Sequence, residues 1–180
     1  KHILGTKVVD DKLIYEEKDD SFTCAIGLSS DEKYFIISTG NHREYEAHFF
    51  LCNQEDPKPI LFQKRKKEVR YSIDFWKDGY IYVHTNENAE DYKILRCKID
   101  NINEKEEFIS AKKGTIIGGL EFLDDYILRG ENSNAISKLY VRNIKTNSEE
   151  EIKISEEEIG CIGVSLLQKN TNTSRIRVSW

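Results

Sequence analysis

Residues 70–111, RYSIDFWKDGYIYVHTNENAEDYKILRCKIDNINEKEEFISA, decide how the chain folds. Runs of aromatic and β-branched residues at 71–77, 79–85, 92–99 and 106–111 are separated by turn-forming residues, which predicts four strands in succession. In the second run Tyr80, Tyr82 and His84 alternate with Ile81, Val83 and Thr85, so both faces are largely apolar or aromatic. A strand of that kind sits inside a sheet covered above and below.

The same four-beat unit recurs on either side. Second-strand tyrosines fall at Tyr34, Tyr80 and Tyr126, steps of 46 and 46, each after an Asp-containing turn. First strands align at Ile26, Ile73, Gly119 and Gly163, third strands at Cys52, Cys97 and Asn143, and fourth strands at Phe62, Phe108 and Ile154. A period of about 40–50 residues holding four strands is the pattern of a β-propeller, one blade per repeat. The expected fold is therefore all-β, a propeller segment of four-stranded antiparallel blades. Three blades are complete, at 22–68, 69–111 and 112–159. Residues 1–21 are expected to close a preceding blade with strands at 3–6 and 13–17. Residues 160–180 are expected to open the next with strands at 161–168 and 175–180. Gly118 and Gly119 lie on an inner strand, where a missing side chain permits close backbone approach.

Composition narrows the function. A net charge of −5 gives no reason to expect nucleic acid, which favours basic surfaces. No apolar run approaches the roughly 20 residues of a membrane helix, and no secretory signal opens the chain. Met is absent, including from position 1, so the sequence reads as an excerpt of a longer chain. Cys24, Cys52, Cys97 and Cys161 lie too far apart for the close pairs of a zinc site. They are expected to be reduced, buried or half-buried thiols in a cytoplasmic protein. Asn172-Thr173-Ser174 matches a glycosylation sequon but has no secretory context.

A second set of motifs carries a family resemblance. His2-x-Leu4-Gly5-Thr6 is followed by Asp11-x-Leu13-x-Tyr15-Glu16-Glu17-Lys18-Asp19-x-x-Phe22. Further on come Ser30-Asp31-Glu32-Lys33-Tyr34, Phe49-Phe50-Leu51, Tyr71-Ser72-Ile73-Asp74, and Thr85 through Lys93, TNENAEDYK. Together these resemble the prolyl oligopeptidase family of serine peptidases, nearest to its oligopeptidase B (protease II) branch. The resemblance is firm over residues 1–100; beyond them mainly the blade rhythm persists. It implies the middle of a seven-bladed propeller that caps a catalytic α/β-hydrolase domain, in a parent enzyme that cleaves short peptides after Lys or Arg. The propeller would act as lid and size filter. Its partners would be that hydrolase domain, outside this stretch, and the peptide substrates, with neither nucleic acid nor membrane involved. Uncovered blade faces at the two ends of the segment could also drive self-association.

No catalytic, cofactor-binding or metal-binding residue can be assigned in this stretch. The nearest approach to a nucleophile elbow is Gly163-Val164-Ser165-Leu166-Leu167, where Leu167 replaces the second glycine, so Ser165 is expected to be a strand residue. His2, His42 and His48 fall at or near strand ends and His84 within a strand, so each is expected to be a packed or surface histidine. The basic run 64–67 suits a solvated turn, and Glu149–Glu151 and Glu156–Glu158 suit exposed outer edges. Two other readings remain open. One is a free-standing small propeller that binds protein partners, against which the missing G-H and W-D marks speak. The other is a parent closer to prolyl oligopeptidase itself.

Overall fold

The computed structural model describes residues 1–153, 163–166 and 176–179. They contain one short 3₁₀ turn, Val8–Asp10, and fourteen strands. The chain divides into two compact units, Lys1–Arg70 and Tyr71–Trp180.

The first unit holds one four-stranded antiparallel sheet: β1 (Thr23–Leu28), β2 (Tyr34–Gly40), β3 (Tyr45–Leu51) and β4 (Ile60–Gln63), neighbours in chain order. The second unit repeats the meander twice. Its second sheet comprises β5 (Tyr71–Phe75), β6 (Tyr80–Thr85), β7 (Lys93–Lys98) and β8 (Asn101–Ile109). Its third comprises β9 (Ile116–Leu123), β10 (Tyr126–Ser133), β11 (Ile136–Asn143) and β12 (Glu149–Ile152). A further antiparallel pair joins β13 (Gly163–Leu166) to β14 (Ile176–Ser179).

The expected repeat is visible in the registers. Tyr34, Tyr80 and Tyr126 each open the second strand of a sheet and lie opposite Leu51, Lys98 and Asn143 at the end of the third. Local chemistry sets the turns before them. The Ser29 hydroxyl donates to Asp31 at 2.6 Å and accepts the Tyr34 amide at 3.0 Å. Asp78 accepts the Tyr80 amide at 3.1 Å, while Gly79 takes φ +81°, which costs a glycine little. Between β10 and β11, Asn134 and Ala135 both have positive φ, the backbone of a primed hairpin turn that matches strand twist.

β6 is covered on both faces, as its sequence requires: Ile81, Tyr82, Val83 and Thr85 are all buried. Within the second unit, Trp76, Tyr82, Ile94 and Ile109 pack with Ile117, Phe122 and Ile127 of the third sheet into one apolar core. Gly118 lies against Gly130, whose carbonyl oxygen would stand 3.0 Å from an added Cβ, beside an irregularity in the β9–β10 register. Gly119 has no such neighbour, so the close approach belongs to Gly118 alone.

Two strand expectations are corrected. Residues 3–6 and 13–17 are not strands: 3–6 form a turn closed by the bond from Thr6 N to Ile3 O, and 13–17 take no regular secondary structure. Two short strands without a third beside them are marginal, and Ile3, Leu4 and Leu13 stay exposed. Residues 101–105, expected to lie in the turn between the runs at 92–99 and 106–111, instead form the first part of β8. A tight turn through Ile99 and Asp100 sets Asn101 opposite Lys98, and Arg96 Nε donates to Glu106 at 2.6 Å across the pair. An outer edge tolerates such charge. Ile154, Glu156–Glu158, Cys161 and the sequon at Asn172 lie outside the described residues.

Candidate functional site

Ser165 sits in the middle of β13, opposite Arg177 of β14, in extended sheet backbone. It does not occupy a strand-to-helix turn. The histidines are dispersed among structural roles. His2 bonds Asp11 at 2.6 Å, and His42 Nε2 accepts from Arg43 Nε at 3.1 Å, both on the surface. His48 is central in β3 rather than at a strand end; its ring lies 4.8 Å from that of Tyr15 and its Nε2 3.8 Å from Glu46. Among the described residues no group of three or more His, Cys, Asp or Glu side chains could hold a metal ion. No helix there is long and apolar enough to cross a membrane.

The polar cleft that comes nearest to a site lies in the second unit, between the inner strands of two neighbouring sheets. It encloses about 170 Å³ and is lined by Ser72, Asp74, Tyr82 and His84 together with Gly119 and Leu120. The types that could make a triad are therefore present, but their commitments are structural. His84 Nε2–H donates to the Ile117 carbonyl at 2.8 Å, and the ring stacks on Tyr92 at 4.6 Å and 16°. Ile117 in turn donates its amide to the Asp91 carbonyl at 2.9 Å, so the second sheet clamps both backbone groups of one residue of the third. Tyr82 donates to Asp78 at 2.5 Å, and burial followed by that bond pushes its phenol far up. It keeps its proton at neutral pH and offers no phenolate base.

Burial lowers the pKa of His84 below the ordinary 6.5, against the pull of the Ile117 carbonyl. Burial lowers His48 too, with Glu46 opposing and Arg65 assisting. Folding therefore favours both neutral rings. Their contribution to stability is fully present above the unfolded value near 6.5 and is lost as the pH falls below it. The denaturation midpoint should be higher at about pH 7.5 than at about pH 5.5, and His84→Gln should flatten that dependence. An identical slope in the variant would remove His84 from the account.

The charged clusters differ from their expected solvated roles. Arg65 of the basic run is half-buried: it donates to Glu17 at 2.5 Å and Thr39 at 2.7 Å and lies 3.7 Å above the Phe22 ring. Lys64, Lys66 and Lys67 are exposed. Glu149 is no free edge charge, since it accepts from Arg129 at 2.7 Å and from Arg142 at 2.9 Å. Burial raises its pKa, yet the two guanidiniums together hold it below the usual carboxylate range. Cys24 is exposed, against expectation, because β1 lies open; Cys52 is half-buried and Cys97 buried, and all three are free thiols.

Sequence reasoning missed one regularity. Thr39, Thr85 and Glu131 are all buried polar residues, each five positions after its repeat tyrosine. Thr39 accepts from Arg65, Thr85 accepts the Glu87 amide at 3.0 Å, and Glu131 accepts from Lys112 at 2.6 Å and from Arg129. The tyrosine register was the signal that could have found them.

Comparison with known proteins gives the family. The chain matches the family described as "Prolyl oligopeptidase, N-terminal beta-propeller domain" over residues 1–180. It is 27% identical over 181 residues to dipeptidyl aminopeptidase BI of Pseudoxanthomonas mexicana, covering 99% of this chain and 24% of that protein. It is 26% identical over 141 residues to protease 2 of Moraxella lacunata, covering 78% of this chain and 20% of that protein. Oligopeptidase B from Trypanosoma brucei, in a closed form with covalently bound antipain, superposes with a TM-score of 0.84 at 18% identity, covering 99% of this chain and 27% of that one. Oligopeptidase B from Leishmania major gives 0.83 at 16%, with the same coverages. At such identities the structural likeness speaks for fold. The chain spans about a quarter of the length of these relatives. With its four-stranded meanders identified as blades, the chain belongs to the family of prolyl oligopeptidase N-terminal β-propeller domains.

Proposed function

We propose that the chain is the propeller portion of an oligopeptidase-B-type serine endopeptidase that cleaves short peptides after Lys or Arg. The observation that carries this is the family match along the whole chain, with protease 2 among the relatives and the chain spanning only about a quarter of their length. The reaction belongs to a catalytic α/β-hydrolase domain of the same polypeptide, and the propeller partners that domain. Free thiols at Cys24, Cys52 and Cys97 suit a reducing compartment, and we place the enzyme in the cytoplasm.

The propeller's part is to select by size. Blades made of hydrogen-bonded meanders, locked by cores such as that around Trp76 and Phe122, form walls that do not yield to a folded protein. An extended short peptide is narrow enough to pass, and closure over it keeps water from the reaction. The full-length protein should hydrolyse short Lys- and Arg-containing peptides and leave folded proteins intact. The 180-residue segment should hydrolyse neither. Preference for cleavage after Pro would overturn the oligopeptidase B assignment, and hydrolysis by the segment alone would overturn the division of labour.

A further inference from the structure

The inner strand pairs of the three sheets differ at one place. β1 pairs with β2, and β5 with β6, without a break in register. Between β9 and β10 the register breaks. Leu120 lies opposite Arg129 and Ile117 opposite Glu131, so Gly118 and Gly119 together face Gly130 alone. Two residues against one make a β-bulge, a device that bends a strand and is frequent beside active sites. A Cβ added at Gly118 would meet the Gly130 carbonyl, whereas one added at Gly119 would meet nothing within 4 Å. Gly119 lines the polar cleft of about 170 Å³ between β5, β6 and β9, so the bulge leaves room on that wall.

The chemistry of the cleft is one-sided. Among the described residues that line it, Asp74 is the one carboxylate, and no Lys or Arg is among them. Ser72 brings a hydroxyl to the same face of β5; it lies opposite His84 as Asp74 lies opposite Tyr82. His84, which burial keeps neutral, and Tyr82 are held by their bonds to the Ile117 carbonyl and to Asp78. Asp74 accepts the Phe75 amide at 2.7 Å, one of the roughly four hydrogen bonds a carboxylate can accept. A carboxylate between otherwise uncharged walls repels anions and favours a cation that donates hydrogen bonds. No group of three His, Cys, Asp or Glu side chains gathers there for a bare metal ion. The volume falls below the roughly 300 Å³ at which sites for whole small ligands begin, so it suits the end of one side chain. Ile94, Leu120 and Phe122 offer apolar wall to the methylene stem that Lys and Arg carry behind their charge.

We propose that this cleft, opened by the Gly118–Gly119 bulge and carrying the Asp74 carboxylate, is a subsite for the ammonium or guanidinium end of a basic side chain on a bound peptide. A peptide is its source on the reading of the chain as part of a peptidase for Lys- and Arg-containing peptides, and the proposal rests on that reading to this extent. Calorimetry on the full-length protein, its reactive serine first blocked with an organophosphate, tests it with Nα-acetyl-lysine methylamide as probe. The norleucine analogue, which keeps the stem and lacks the charge, and 1,4-diaminobutane, which keeps the charge and lacks the peptide, are the controls. Gly119→Leu fills the cleft from its open wall, and Asp74→Asn removes its charge. Each should weaken binding of the lysine probe by about ten-fold or more, while Gly119→Ala should weaken it less. Because the Leu side chain enters open space, the thermal midpoint of Gly119→Leu should stay within a few degrees of the wild type.

Unchanged affinity for the lysine probe in both Gly119→Leu and Asp74→Asn would overturn the proposal, and so would equal affinity for the norleucine analogue. Should Gly119→Leu fail to fold, Asp74→Asn decides alone. Binding of 1,4-diaminobutane as tight as that of the lysine probe, and equally sensitive to the two substitutions, would make the ligand a free amine and overturn the peptide as its source. The two readings separate. A full-length protein that hydrolyses no peptide, yet binds the lysine probe in a manner that depends on Gly119 and Asp74, defeats the peptidase assignment and leaves the cation subsite standing. An active peptidase whose affinity for the probe ignores both substitutions does the reverse.

Discussion

Replacing Arg129 by alanine is expected to destabilise the protein by about 3–5 kcal/mol, because it breaks a buried ion pair and strands its partner. The Arg129 side chain is 4% exposed and that of Glu131 5%. The guanidinium donates to Glu131 and, at 2.7 Å, to Glu149, and its centre lies 4.4 Å from the Tyr140 ring centroid. Without it, Glu131 keeps among the described residues only the Lys112 ammonium at 2.6 Å, which comes from the surface and is itself about half exposed. Glu149 fares better, since Arg142 remains at 2.9 Å. The damage should therefore centre on Glu131. Arg129→Met combined with Glu131→Leu should recover most of the loss, because two matched apolar side chains carry no desolvation debt. Urea denaturation of the two single variants and the double variant gives the coupling between them. An Arg129→Ala loss below about 1 kcal/mol would mean that Glu131 is solvated in a way its burial contradicts.

Phe122→Ala should cost a comparable amount, about 3–5 kcal/mol, for a different reason. Phe122 stacks on Trp76 and stands 5.1 Å from Tyr82 at 55°, in the middle of the core that joins the second and third sheets. Truncation opens a cavity whose walls are two aromatic rings and backbone-bound isoleucines, which have little room to collapse. Tyr126→Ala makes a sharp contrast. Tyr126 marks the repeat as clearly as any residue but lies exposed at the start of β10, so its loss should stay within about 1 kcal/mol. Equal losses at the two positions, measured by denaturant midpoint, would show that periodicity rather than packing sets the energetics.

The contrast between Phe122 and Tyr126 also marks how far the sequence could be read. Second-strand tyrosines, Asp-containing turns and the two-faced strand at Tyr80 place three four-stranded sheets because each signal is local: a hairpin needs its turn residues and its alternation, and both lie within a few positions. The strands expected at 3–6 and 13–17 failed for a related reason. Their apolar residues fit a strand, but a strand forms only where a neighbour completes its hydrogen bonds, and none is provided within Lys1–Arg70. The charged strand β8 was misread in the opposite direction, since its composition resembles a loop while Arg96 and the edge position make a strand affordable.

Site chemistry followed the same division. The sequence by itself determined that the chain is a tandem of antiparallel meanders of the prolyl oligopeptidase family, and that Ser165 sits in a strand rather than a nucleophile elbow. Tertiary structure alone decided that Arg65 and Glu149 are held in ion pairs, that His84 clamps Ile117, and that Ile26 and Leu28 stand uncovered. Turns and alternation depend on neighbours along the chain, which a sequence displays directly. Burial and ion pairing depend on groups brought together across tens of residues, and only the packed fold sets those distances.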